Sequence, residues 1–337
     1  MLKAPAHKIL IDRYLNWDLL KRRLGRYQNI GQFYTLDELQ YCSNKGPFYC
    51  HYLAWRLGTW HDEKLFAFFD SLLGNAIKLP NWNKNRVPLG CEFENFWSFL
   101  WELQVAQMFS NQQATVEWTN SGPDLKVNST AGHFFVECTI YRKSFGLEEF
   151  ISELFDHINH QINVRHIPFN VFSLPKDKNL ELFLDELYKP FLDNMFLEKK
   201  LKEAQEISPV NLPVPQGMNN LHLFIENHNA KNFNPYQPWT STGPPEDFLD
   251  IAVKEILDNK RSSNKLKFHR PNLLAVNFML GLDFQLANAV RRNIPTPNLG
   301  VEFDGAFITA CGIDKIPSLD GYIHFYENHP IKELLTK

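Results

Sequence analysis

Between Glu94 and Lys143 the hydrophobic pattern changes period, from steps of three and four to steps of two, and three acidic side chains fall inside the change. Trp97, Trp101, Val105 and Met108 form one apolar stripe of an amphipathic helix. Asn95, Ser98, Glu102 and Ala106 recur at the same spacing as a second stripe, polar and small. Glu102 is therefore expected to point away from the apolar seam, into space its neighbours leave open.

Beyond a polar turn, Thr115 to Trp118 has strand character, Ser121-Gly122-Pro123 interrupts it, and Asp124 stands at the start of a second strand through Val127. A third strand runs from His133 to Tyr141. Its alternation puts Phe134, Val136, Cys138 and Ile140 on one face and Phe135, Glu137, Thr139 and Tyr141 on the other. An acid in so apolar a strand costs several kcal/mol, roughly, if buried without a partner. Glu137 thus calls for a cation or a strong donor.

Glu102, Asp124 and Glu137 lie on three consecutive elements joined by short intervals, so the three carboxylates are expected to converge. Carboxylates with waters suit Mg²⁺, which takes one or two of them directly and keeps places for water and a phosphate oxygen. Such an ion activates water and offsets charge on a phosphoryl group.

At these residues the chain resembles the PD-(D/E)xK superfamily of restriction-endonuclease-like nucleases. The resemblance rests on Pro123-Asp124, on Glu137 in the next hydrophobic strand, and on Glu102 in the preceding helix. It is closest to subfamilies with a Trp-Glu-Leu helix, here Trp101-Glu102-Leu103, and a Gly-Pro-Asp strand, here Gly122-Pro123-Asp124. It implies an α/β fold with a mixed sheet flanked by helices. It also implies metal ligation by Glu102, Asp124 and Glu137 with Mg²⁺ or Mn²⁺ as cofactor, and hydrolysis of phosphodiester bonds in DNA before RNA, in restriction, repair or defence.

The family pattern places a lysine two residues after the strand glutamate, where this chain has Thr139. A hydroxyl can hydrogen-bond but cannot supply a positive charge. Lys126 shares the face of Asp124 and can project toward the same place. Lys143 has the parity of Glu137 but lies roughly 20 Å further along an ideal strand. The catalytic set read from the sequence is therefore Asp124, Glu137, Lys126 and Thr139. The alternative is a protein that keeps the nuclease fold without turnover and serves as a nucleic-acid-binding or scaffold module.

On either side of this stretch the chain is long enough for additional structure. Residues 1–90 read as an aromatic-rich helical lobe, with amphipathic stretches at 9–23, 35–44 and 48–73 and a linker at 79–89. Residues 91–337 read as the α/β domain, with an insertion at about 145–247. In the insertion a helix is expected over 147–161, a strand over 169–174, a helical region over 180–206 broken near Pro190, and a strand over 221–225. A proline-rich stretch, 232–245, carries Phe233, Tyr236 and Trp239. Later come a basic helix over 248–267, a buried strand over 272–279, a helix over 284–292, and strands near 306–310 and 322–326.

The 35 basic side chains are outnumbered by 38 acidic ones, so nucleic acid must be met by a local patch. Arg142, Lys143, Lys260, Lys265 and Arg270 are expected to contact phosphates. The cluster Lys21, Arg22, Arg23 and Arg26 is basic enough to touch a phosphate backbone, but a run of this kind more often forms a solvated helix face, which is the reading taken. Five scattered cysteines, no apolar leader and no membrane-length apolar run point to a cytoplasmic protein without a membrane partner. Cys42, Cys50, His51 and His61 match no usual zinc spacing. The lobe is the part expected to meet a second copy of the chain or another protein.

Overall fold

Three consecutive strands form where the sequence alternates: β1 (Thr115–Trp118), β2 (Leu125–Ser129) and β3 (Gly132–Ile140). They make an antiparallel meander, with Val116 opposite Val127 and Val127 opposite Phe134. The computed structural model describes residues 4–43, 50–59, 63–89, 93–129, 132–140, 150–151, 153–158, 164–167, 180–215, 222–234, 255–256, 258–259, 268–278, 304–309, 311–312, 314–317 and 322–325. Two further strands join the meander in parallel, β9 (Asn272–Asn277) beside β3 and β10 (Gly305–Thr309) beside β9. An antiparallel edge, β11 (Tyr322–Phe325), closes a six-stranded mixed sheet of order β1-β2-β3-β9-β10-β11. β9 is buried at every position, as expected of a parallel strand covered on both faces.

Among the described residues, six helices come before residue 90: α1 (Ala6–Tyr14), α2 (Trp17–Arg26), α3 (Gln28–Phe33), α4 (Leu36–Cys42), α5 (Tyr52–Thr59) and α6 (Glu63–Ala76). The stretch 9–23 divides at Leu15-Asn16, because the Asn16 side chain accepts from the Leu19 amide and starts α2 afresh. Thr35 and Glu38 form a reciprocal capping box at the start of α4. Arg23 is not the solvated residue its neighbourhood suggests. It is buried, donates to the Leu57 carbonyl at 2.8 Å and, with Arg26, pairs with Glu63.

The central helix, α7 (Phe93–Asn111), departs most from expectation. An amphipathic helix has a wet side; this one is buried nearly all round, with Phe96, Trp97, Phe99, Leu100, Trp101, Leu103, Val105, Ala106, Met108 and Phe109 in the core. The reason is that it lies between two apolar partners. Toward the lobe, Phe96 and Trp97 pack on Tyr52 of α5, and Phe96 on Phe69 of α6. Toward the sheet, the Trp101 indole donates to the Ala275 carbonyl at 3.0 Å and stacks on Phe307, while Phe109 meets Phe134 edge-on. Gln104, buried in the same helix, donates to the Gly312 and Lys315 carbonyls beyond β10.

The expected linker at 79–89 is packed. Trp82 contacts Phe33, Phe99 and Trp118, Val87 is buried, and the Pro80 carbonyl accepts from the Trp118 amide. Within the insertion, residues 150–158 are helical where described, followed by α8 (Leu180–Tyr188), a 3₁₀ turn (Lys189–Leu192) at Pro190 and α9 (Asn194–Glu206). Two small sheets accompany them, β4 (Val164–Ile167), β7 (His222–Ile225) and β6 (Val210–Leu212) in one, β5 (Ile207–Ser208) and β8 (Asn232–Phe233) in the other. The strand expected over 169–174, the helix over 284–292 and most of the basic helix over 248–267 lie outside the described residues.

Lobe, sheet and insertion share one continuous cluster of buried side chains. A buried ion pair accompanies it: Glu153 bonds to Arg56 of α5 and accepts from the Trp55 indole at 2.7 Å, all three residues being buried. No helix among the described residues is long and apolar enough to cross a membrane.

Candidate functional site

The faces of the meander are chemically unlike. Phe134 and Val136 of β3, with Leu125 and Val127 of β2, are buried on the face that α7 covers. The opposite face carries Glu117 of β1, Lys126 of β2, and Phe135, Glu137 and Thr139 of β3, as alternation requires. Glu137 is only 2 % exposed there, while Lys126, Phe135 and Thr139 are half-buried. Glu137 lies beside Leu274 of β9 in register.

Asp124 enters this face from the end of β2. Leu125 opposes Val136, so one further step along the ladder sets Asp124 against Glu137. Directly opposed residues have Cα atoms about 4.5–5.5 Å apart. The Asp124 carboxylate is anchored: its Oδ2 accepts from the Cys138 amide at 2.7 Å, and its carbonyl accepts from the Thr119 amide. A carboxylate offers about four lone-pair sites on two oxygens, and the Cys138 amide, at one of them, orients the group.

Glu102 does not join them. Its Oε2 accepts from Arg86 at 3.3 Å, and both side chains are about one-fifth exposed. Arg86 also donates to the Thr119 carbonyl and lies with its guanidinium 4.9 Å from the Trp118 ring. The space beside Glu102 is thus filled by an arginine from the segment read as a linker, and the expected three-acid cluster becomes a pair. Among the described residues no group of three or more His, Cys, Asp and Glu side chains is arranged to hold a metal ion. Two carboxylates still fit Mg²⁺, which completes its octahedron with water and substrate oxygens. Of Cys42, Cys50, His51 and His61, the last lies outside the described residues, and the other three are not grouped to hold a metal ion. The His51 ring is buried between the Pro88 carbonyl and the Leu53 amide, and burial lowers its pKa to about 4.

One residue on this side of the sheet was not marked by the sequence. The His269 ring meets Phe135 edge-on, with centroids 5.1 Å apart, and lies against Gly122, where an added Cβ would stand 2.6 Å from the ring's Cε1. Gly122 also has φ +91°, a conformation that glycine adopts without penalty. No local pattern announces His269; only its position just before β9 brings it here.

Of the expected phosphate contacts, Arg270 pairs with Asp304 at 3.0 Å, and Asp304 in turn accepts from the Asn272 amide. Arg142, Lys143, Lys260 and Lys265 lie outside the described residues, as do Tyr236 and Trp239. Comparison with family models, with curated proteins and with solved structures gives no match to this chain.

Proposed function

We propose that the chain is a metal-dependent phosphodiesterase that cuts nucleic acid, DNA in preference to RNA, with Asp124 and Glu137 as the protein ligands of Mg²⁺ or Mn²⁺. The observation that carries the reading is the acid pair itself: a carboxylate anchored by the amide of Cys138, one step beyond the last ladder pair, Leu125 with Val136, and next to it in β3 a glutamate that is 2 % exposed. An antiparallel meander continued by two parallel strands, with a long helix on one face, is in keeping with a restriction-endonuclease-like core. Bound there, the ion lowers the pKa of a water and offsets charge on the phosphoryl group.

The chain's own residues supply the rest. Lys126, on the face of the pair, offers its ammonium to a non-bridging phosphate oxygen, and the Thr139 hydroxyl donates a hydrogen bond. Arg270, with Arg142, Lys143, Lys260 and Lys265, holds the backbone of the substrate. Phe268, 76 % exposed and next in the chain to His269, offers a ring on which a base can stack. Restriction, repair and defence against foreign DNA are the settings this reading suits.

A second reading keeps the fold and drops the turnover. Thr139 in the lysine position and the engagement of Glu102 by Arg86 favour a nucleic-acid-binding or scaffold role. Asp124→Asn and Glu137→Gln separate the two. On the first reading each variant melts cooperatively, loses about 100-fold or more of the cleavage rate, and no longer gains melting temperature on addition of Mg²⁺. Cleavage unchanged in both variants rejects the site; nucleic-acid binding with neither cleavage nor a Mg²⁺ response selects the second reading.

A further inference from the structure

Two hydrogen bonds leave one residue, Thr119, and end on either side of Asp124. The Thr119 hydroxyl donates to the Pro123 carbonyl, and the Thr119 amide donates to the Asp124 carbonyl at 3.2 Å. Those carbonyls belong to the peptide planes before and after the Asp124 Cα. A peptide plane is rigid, so a residue between two planes has only φ and ψ to vary, and holding both planes fixes the direction of its Cα–Cβ bond. The Cys138 amide then holds the far end of the side chain, Oδ2, at 2.7 Å. Pro123 is buried and its ring sets its own φ, which narrows the path of the turn further. Thr119 is held in its turn: Arg86 donates to its carbonyl and bonds to Glu102 of α7 at 3.3 Å. The third acid of the sequence pattern therefore reaches Asp124 through Arg86 and Thr119.

We propose that Thr119 is a positioning residue of the metal site, setting the Asp124 carboxylate for Mg²⁺, with Arg86 and Glu102 acting through it. The proposal rests on the phosphodiesterase reading above, in which Asp124 is a ligand. Mg²⁺ demands near-octahedral geometry with oxygens at about 2.0–2.1 Å. A carboxylate on a loose backbone has to be ordered as the ion binds, and affinity falls by that cost. Residues that orient a ligand from behind typically change metal affinity or activity by about 10–100-fold. A residue that merely closes the turn lowers stability when it is altered and leaves the affinity for the ion where it was.

The test compares wild type, Thr119→Val and Thr119→Ser. Valine keeps the branched shape and removes the hydroxyl donor, whereas serine keeps the donor. The readout is the dissociation constant of Mg²⁺, measured by calorimetry without substrate. The expected result is a constant raised about 10-fold or more in Thr119→Val and within a few-fold of wild type in Thr119→Ser. A lowered melting temperature with an unchanged constant in Thr119→Val, or a serine variant as weak as the valine one, overturns the proposal. Asp124→Asn keeps the failures apart. If wild type binds no Mg²⁺, or Asp124→Asn binds it as wild type does, the acid pair is not the site and the parent reading falls. If Asp124→Asn loses the ion while Thr119→Val keeps wild-type affinity, the positioning role alone falls. A second measurement needs neither ion nor variant. In the metal-free wild type, the amides of Thr119 and Cys138 are expected to be protected from hydrogen exchange to within a few-fold of each other, because one opening of the Asp124 backbone frees both. A Cys138 amide that exchanges unprotected while that of Thr119 is protected shows that the backbone clamp does not reach the carboxylate, and overturns the proposal.

Discussion

At the scale of single residues, His51 shows how burial turns an ionisable group into a pH-dependent constraint. Its ring is enclosed between the Pro88 carbonyl and the Leu53 amide, and desolvation lowers its pKa from about 6.5 to about 4. The unfolded chain therefore binds a proton more readily than the folded one throughout that interval. The stabilisation is complete above about pH 6.5 and is lost as pH falls toward 4. By linkage it amounts to about 3 kcal/mol in full, of which about 2 kcal/mol is gone at pH 5. In urea titrations His51→Gln should flatten the fall in stability between pH 7 and pH 5 by that amount. A variant whose slope matches wild type excludes His51 as the source. The same scale sets what could be read in advance. Glu137 was legible because strand alternation alone separates it from Phe134 and Val136, and Asp124 because Gly-Pro marks a turn just before it. His269 was not legible, since its place is fixed by a contact with Gly122 that no periodicity encodes.

At the scale of elements, the informative departure is around α7. Period reasoning found the helix and part of its polar stripe: Asn95, Ser98 and Glu102 are less buried than their neighbours, whereas Ala106, the fourth member, is in the core. It could not show that a second apolar layer lies on the helix's other side, because that layer comes from α5 and α6, which the sequence presents only as amphipathic stretches. Nor could it show that the 79–89 segment delivers Arg86 to Glu102. The guanidinium there joins three elements, bonding to the α7 carboxylate and the Thr119 carbonyl while covering Trp118 of β1. Two expectations follow from this geometry. Glu102→Gln should keep the Mg²⁺-induced rise in melting temperature that Asp124→Asn loses, since Glu102 stands outside the pair; loss of that rise in Glu102→Gln would return Glu102 to the ligand set. Arg86→Ala should destabilise by about 2 kcal/mol through the lost charged hydrogen bonds and ring contact. Arg86→Lys should recover little of it, because an ammonium cannot match the planar fork of the guanidinium. Chemical denaturation of the three proteins measures both differences.

At the scale of the whole molecule, the helical lobe is tied to the sheet through side chains rather than hung from it. Phe96, Trp97 and Phe99 of α7 are each no more than 5 % exposed, and their ring partners are Tyr52, Phe69 and Trp82 from the region before α7. The ion pair of Arg56 with Glu153 joins α5 to residues 150–158, so the insertion is bound to the lobe as well. Aromatic side chains bury about 150–250 Å² each. At about 25 cal/mol per Å², uncovering three of them costs on the order of 10 kcal/mol, comparable to the roughly 5–15 kcal/mol that holds an entire domain together. A fragment of residues 91–337 is therefore expected to lack a cooperative melting transition and to bind a hydrophobic dye, even though it contains the acid pair and all six strands of the main sheet. Co-expression with residues 1–90 should restore a single sharp transition, because the missing surface is returned without a covalent link. A fragment that melts cooperatively by itself, with its near-ultraviolet circular dichroism intact, would mean that the α7 aromatics find other cover and that the lobe is an attachment. In the expected case the lobe is part of the structure that holds α7 against the sheet, and substitutions at Tyr52 or Phe69 act on the site by loosening that support.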